Sequence, residues 1–179
     1  VLQPGRAQVW VVGSGVPDDT AGEQARRIAE VLVEAKYAII DAGALELVDY
    51  AAFAGSAILT PHASELQRLL KSFGVTKSRD EIEDDPIAAA ETAAKLTGQV
   101  VLLKGSVTTI AEPDDGTAQT PPATPALATA GSGDVLAGIL GALVSANASQ
   151  LDSAKLTLAE IAYAGAAAAA ASDLGFPVV

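Results

Sequence analysis

An α/β fold, a mostly parallel sheet sandwiched between helices, is predicted for this 179-residue chain by three features of its sequence. Short apolar runs rich in Val, Ile and Leu recur, and such runs suit strands buried on both faces. Segments with apolar residues at helical spacing lie between them. The connections are short, as in consecutive strand–helix–strand units. In such folds ligands bind at the carboxyl ends of the strands, so the residues that follow each strand are where a site is sought.

The run 8–12, Gln-Val-Trp-Val-Val, reads as a central parallel strand covered on both faces, and it ends in Gly13-Ser14-Gly15. Residues 21–34 follow as a helix with Ala25, Ile28, Ala29 and Leu32 on one face and Arg26, Arg27, Glu30 and Glu34 mostly on the other. Tyr37–Ile40 is a second strand, closed by the turn Asp41-Ala42-Gly43-Ala44. Residues 57–59 form a strand ending in Thr60-Pro61-His62, and 64–73 a helix carried by Leu66, Leu69 and Leu70. Asp84-Asp85-Pro86 is a helix start: a carboxylate cap, then proline where its missing N–H has no helical partner. That helix runs to about Leu96, and Gly98 stops it. Val100–Leu103 is the next buried strand. Residues 107–111 and 117–120 flank Pro113-Asp114-Asp115-Gly116, whose Asp-Gly step signals a β-hairpin. The proline-rich stretch 121–125 is a loop, and 135–145 and 158–174 are the last helices. No repeat and no interior linker divides the chain, so residues 1–179 are expected to form one domain. Because Val1-Leu2-Gln3-Pro4 leads almost at once into a buried-looking strand, an upstream segment is expected to be missing.

Half the residues are apolar and only 4% aromatic, so aliphatic side chains must build the core. A net charge of -11 argues against a nucleic-acid partner, which needs a basic face to neutralise phosphates, and against an anionic membrane surface. It leaves room for a small phosphorylated ligand held by backbone amides, a helix N-terminus or a metal ion. The chain has no cysteine and one histidine, which excludes a disulfide scaffold and a Cys/His zinc site. Nothing at the start resembles a signal peptide, and the alanine-rich run 165–171 is too short to span a bilayer. It reads as a closely packed helix, and a cytoplasmic location is expected.

Gly131-Ser132-Gly133-Asp134 precedes the helix at 135–145. Small residues leave their N–H groups accessible, and the helix aims its positive end at the same place, a combination that stabilises a moving phosphoryl group. Asp134 stands where it could accept a proton from an attacking hydroxyl, or it could simply cap the helix. Lys104-Gly105 ends a strand, and Lys104 is the only basic residue between Lys95 and Lys155. It is placed to meet a phosphate, or it is a surface lysine opening a turn. His62 sits at a strand-to-helix switch with Glu65 one turn on; a lone histidine is more often structural than catalytic, and no second ligand suggests a metal. Gly13-Ser14-Gly15 lacks the spacing of a dinucleotide fingerprint. Asp41, after its strand, could serve a site or cap the segment that follows, and capping is the favoured reading.

Leu59-Thr60-Pro61-His62-Ala63-Ser64-Glu65, then Leu103-Lys104-Gly105, then Leu127-Ala128-Thr129-Ala130-Gly131-Ser132-Gly133-Asp134-Val135-Leu136-Ala137-Gly138 resemble the motifs of the ADP/ATP-dependent NAD(P)H-hydrate dehydratases, a family of the ribokinase-like superfamily. The resemblance extends from about Val9 to about Ser172. The Gly-Ser-Gly-Asp turn alone indicates only the superfamily; its ordered combination with Thr-Pro-His and Lys-Gly is more specific. The resemblance implies a ribokinase-like sheet lacking its N-terminal segment and a lyase that repairs hydrated nicotinamide cofactors. A nucleotide phosphorylates the C6 hydroxyl of the (6S)-hydrate of NADH or NADPH, and phosphate then leaves to restore the double bond. With ADP as donor, as the alanine-rich, cysteine-free composition suggests through a bacterial origin, the products are NADH or NADPH, AMP and phosphate. It further implies Asp134 as the base, Gly131, Ser132 and Gly133 as the anion hole, and Lys104, Gly105, Ser106, Val107 and Thr108 with Gly133 as the nucleotide site. Gly15, His62 and Asp134 would meet the hydrated cofactor. Mg²⁺ is expected between the phosphates, with no ligands assigned, and a homo-oligomer, with a tetramer as the expected form, is implied.

The chain departs from the family pattern at Ser14, where proline is usual, at Gly43, where a second aspartate is usual, and at Ser64, where glycine is usual. These positions lie on the cofactor side and could loosen substrate recognition. Two other readings stay open: a small-molecule kinase of the same superfamily, acting on a vitamin precursor or sugar, and a non-catalytic nucleotide-binding or oligomerisation module.

Overall fold

The computed structural model describes residues 7–16, 22–114, 116–120 and 131–172. Six strands within them form one sheet in sequence order: β1 (Trp10–Val12), β2 (Tyr37–Ile40), β3 (Ser56–Leu59), β4 (Val100–Leu103), β5 (Thr109–Ala111) and β6 (Thr117–Gln119). β1 to β4 are parallel, and β5 and β6 fold back antiparallel as the predicted hairpin. The helices are α1 (Glu23–Val33), α2 (Ala63–Ser72), α3 (Arg79–Asp84), α4 (Pro86–Thr97), α5 (Ser132–Ala146), α6 (Ala148–Asp152) and α7 (Leu158–Ser172).

The apolar runs become buried strands because successive side chains point to opposite faces and each face has its own cover. Ala38, Ile40, Leu59, Val101 and Leu103 join a core with α1, α2 and α4. Tyr37, Ile39, Ile58, Val100 and Leu102 join a second core with α5 and α7. The alanine-rich α7 packs closely on α5: a Cβ on Gly165 would lie 2.5 Å from Leu140 Cδ2. Among the described residues no helix is long and apolar enough to cross a membrane.

The predicted central strand at 8–12 needs correction. It is shorter, Trp10–Val12, and it is the edge of the described sheet, with Val11 44% exposed. Apolar content gives no information on how many neighbours a strand has. α4 starts and stops as predicted: the Ala88 N–H donates to Asp85 Oδ1 at 3.1 Å, Pro86 opens the helix, and Gly98 ends it with φ 68°. The turn predicted at 41–44 is a 3-10 turn at Ala42–Ala44, whereas α3 and α6 were not predicted. The predicted loop at 121–125, the motif residues 127–130 and residues 173–174 of the last predicted helix lie outside the described residues.

Candidate functional site

Parallel strands bring their carboxyl ends to one rim, and main-chain hydrogen bonds continue the register beyond the strands. The Asp41 N–H donates to Val12 O at 3.0 Å, Thr60 N–H to Ile40 O at 3.0 Å, and Lys104 N–H to Pro61 O at 2.8 Å. His62 and Lys104 form a parallel bridge just past β3 and β4. Residues that follow three different strands, Asp41, His62 and Lys104, are thereby set side by side.

Their side chains make a charged cluster. Lys104 Nζ donates to Asp41 Oδ1 at 2.8 Å and lies 3.6 Å from Glu65 Oε2. Both carboxylates are nearly withdrawn from solvent, with side-chain exposures of 5% for Asp41 and 9% for Glu65, while Lys104 keeps 22%. Charges so sheltered from water need partners, and here each sign supplies the other. The predicted capping role of Asp41 is therefore a correction: it precedes the 3-10 turn but makes no side-chain cap, and its carboxylate is committed to Lys104. A cap reads from local sequence, whereas this partner lies 63 residues away.

His62 is structural as expected, and it also faces the site. The N–H groups of Ser64 and Glu65 donate to its Nδ1 at 3.2 and 3.3 Å, and the His62 N–H donates to Glu65 Oε2 at 2.7 Å, a reciprocal capping box at the start of α2. Accepting at Nδ1 places the neutral ring's proton on Nε2, which lies 3.4 Å from Glu65 Oε1.

α5 starts beside this cluster. Gly131, in the left-handed region at φ 89°, is its N-cap and offers no side-chain cap, so the first amides of the helix keep their donors for another acceptor. A Cβ on Gly133 would stand 3.5 Å from Lys104 Nζ and 3.6 Å from Asp41 Oδ2, so the turn and the cluster adjoin. Asp134 occupies the first helical turn and is exposed; the cap is Gly131, not Asp134.

A cleft of about 1010 Å³ runs over the end of β4. Of the residues singled out in the sequence, His62, Lys104, Gly105, Ser106, Val107, Thr108, Ser132 and Gly133 line it. Gly131 and Asp134 flank the lining, and Gly15 is in the exposed turn after β1, closed by the Val16 N–H donating to Gly13 O at 3.1 Å. Sequence reasoning missed the α3 wall, Arg79, Ile82 and Glu83, and the alanines of α7, Ala166, Ala169 and Ala170. Ser78-Arg79-Asp80-Glu81 was a readable capping-box signal for α3; the alanines gave none. Of the departures, Ser64 lines the cleft, Ser14 is an exposed turn residue, and Gly43 is filled from behind: a Cβ there would meet Val16 O at 2.3 Å. An aspartate at 43 would not fit unless the Gly13–Val16 turn moved.

A family model described as NAD(P)H-hydrate dehydratase matches residues 2–177. The chain is 40% identical over 146 residues to the bifunctional NAD(P)H-hydrate repair enzyme Nnr of Mycobacterium tuberculosis, covering 79% of this chain and 29% of that protein. It is 36% identical over 145 residues to the ADP-dependent (S)-NAD(P)H-hydrate dehydratase of Neisseria meningitidis, covering 76% and 47%. The chain thus spans less than half the length of either relative. The solved ADP/ATP-dependent NAD(P)H-hydrate dehydratase from Bacillus subtilis, co-crystallised with ATP and Mg²⁺, superposes with a TM-score of 0.76 at 27% identity, over 93% of this chain and 57% of that one.

Proposed function

This chain belongs to the NAD(P)H-hydrate dehydratase family, and from that premise we propose that it carries the phosphoryl-transfer site of an ADP-dependent NAD(P)H-hydrate dehydratase, a carbon–oxygen lyase. The observation that carries the proposal is the meeting of Lys104 Nζ with the first turn of α5 at Gly133, beside one cleft. A cation and a set of free amides there are what a migrating phosphate needs.

The cleft divides the work. Its Val107, Leu136 and Ala166 surfaces offer apolar cover for a nucleotide, with Gly105, Ser106 and Thr108 along the chain from Lys104. Gly131, Ser132 and Gly133 hold the phosphoryl group, His62 contacts the hydrated cofactor from the cleft, and Gly15 contacts it from the turn after β1, outside the cleft lining. Asp134 takes the proton of the C6 hydroxyl as its oxygen attacks the terminal phosphorus of ADP, and AMP leaves. The ring nitrogen's lone pair then expels phosphate from C6, a far better leaving group than hydroxide, and the double bond of NADH or NADPH returns.

Among the described residues no group of three His, Cys, Asp or Glu is set for a metal. Asp41 and Glu65 already face Lys104, a donor set that fits an ion carried in on the phosphates better than one caged by protein. Mg²⁺ arriving with the phosphates would neutralise part of their charge.

Incubating the intact protein with hydrated NADH, ADP and Mg²⁺ tests the reading. Recovery of NADH absorbance supports it; a stable phosphorylated product without recovery favours the kinase alternative. Asp134→Asn abolishes turnover and leaves ADP affinity, measured by calorimetry, nearly unchanged, because the proton acceptor is lost while the turn keeps its shape. Turnover retained in that variant removes Asp134 as the base.

A further inference from the structure

An ammonium beside the N-terminus of a helix is in an unfavourable place, because that end of the helix is itself positive. Lys104 Nζ is nonetheless there, next to Gly133, the second residue of α5. Asp41 provides its direct contact, at 2.8 Å from a carboxylate that is 5% exposed. Glu65 is 3.6 Å away, and the oxygen facing Lys104 already accepts the His62 N–H at 2.7 Å. Asp41 is thus the anchor and Glu65 the support.

We infer that Asp41 is a positioning residue: it fixes the Lys104 ammonium under the first turn of α5, so that a migrating phosphate meets a cation already in place. The inference rests on the phosphoryl-transfer reading of this site. Its energetic logic is differential. Two carboxylates outweigh one ammonium, so the cluster offers an incoming nucleotide little net attraction. As charge builds on the phosphoryl oxygens, a cation that need not move stabilises them without reorganisation. Asp41 acts through Lys104 and touches no reacting atom.

Asp41→Asn in the intact protein removes the charge and keeps the shape. Turnover of hydrated NADH falls about tenfold to a hundredfold, as expected when a charged group loses its place. ADP affinity by calorimetry stays equal or tightens, because a negative charge near the phosphates is gone. Unchanged turnover overturns the inference, as does ADP binding that weakens in step with turnover. Should Asp41→Asn not fold, a crystal structure of the unsubstituted protein with ADP and Mg²⁺ decides: Nζ still on Asp41 supports the clamp, and Nζ departed from it overturns it. If the unsubstituted protein restores no NADH, the function reading fails on its own account. The clamp is then judged by the Lys104 ammonium resonance, which exchanges slowly in the unsubstituted protein and is lost in Asp41→Asn; its persistence in the variant refutes the anchor.

Discussion

At the scale of single residues, two glycines at the rim of the sheet carry different loads. Gly13 has φ 116°, and a Cβ on it would lie 1.7 Å from the carbonyl oxygen of Asp41. Gly15, with φ 73°, has open space around it. Gly13→Ala therefore combines backbone strain with a main-chain collision and costs about 3 kcal/mol or more, whereas Gly15→Ala meets strain alone and costs about 1 kcal/mol. Denaturant unfolding of both variants checks the order, and equal losses would contradict the close approach. Gly13→Ala also displaces Asp41 and lowers turnover through Lys104. The sequence displayed both glycines as one turn but not the carbonyl that separates their roles. The same limit applied to the charged cluster: Lys104 was conspicuous as a lone base after a strand, while its pairing with Asp41 depends on strand order, which no local pattern encodes.

α3 is the element on which this reasoning can be tested most directly. It has six residues, too few to hold a helix by propensity, and its one buried side chain is Ile82. Its start is fixed by Ser78, whose Oγ accepts the Glu81 N–H at 3.2 Å while the Ser78 N–H donates to Glu81 Oε2 at 2.7 Å. Ser78→Ala costs about 1 kcal/mol. The loss is local, so faster amide exchange across 79–84 is expected with little change in α4. Because Arg79, Ile82 and Glu83 line the cleft, ligand affinity falls as this wall frays. Exchange in the variant matching that of the unsubstituted protein refutes the cap as the determinant. Elements bounded by strong local chemistry were legible: α4 between Asp85-Pro86 and Gly98, and the hairpin around Asp-Gly. α3 escaped because six residues do not complete two periods, and β1 was placed centrally because an apolar run reports neither neighbours nor burial: β1 has no buried residue, whereas all four of β2 are buried.

The whole molecule separates its chemistry from its fastening. The cleft lies at the carboxyl ends of the parallel strands, while near the start of β2 the Tyr37 hydroxyl donates to Asp152 Oδ1 at 2.6 Å, a contact across 115 residues that joins sheet to α6. Lys36 Nζ reaches the same oxygen at 2.6 Å. Burial, and then the Asp152 carboxylate, push the Tyr37 hydroxyl up to about 12 from 10. Asp152 is held below the usual carboxylate range by its hydrogen bonds from Lys36 first and Tyr37 second. A hydroxyl whose pKa is raised on folding holds its proton more tightly in the native state, so its stabilisation is full below pH 10 and is lost as pH climbs through about 12. Asp152 works at the opposite limit: its lowered carboxyl stabilises above the ordinary carboxylate range and ceases to do so as pH falls through its folded value. Tyr37→Phe removes the alkaline contribution and, on the acid side, one of the two hydrogen bonds that hold Asp152 down, leaving that of Lys36. The thermal midpoints of the unsubstituted protein and the variant are expected to differ at neutral pH and to converge as pH rises from 10 to about 12. Lysines titrate in the same range in both proteins, so the difference between the two curves isolates the tyrosine. Turnover at neutral pH stays as it was, since the fastening and the cleft lie at opposite ends of the strands. A gap between the curves that keeps its size across that interval means the Tyr37 hydroxyl is not held in its protonated form by the fold, and the link to α6 rests on Lys36 and packing.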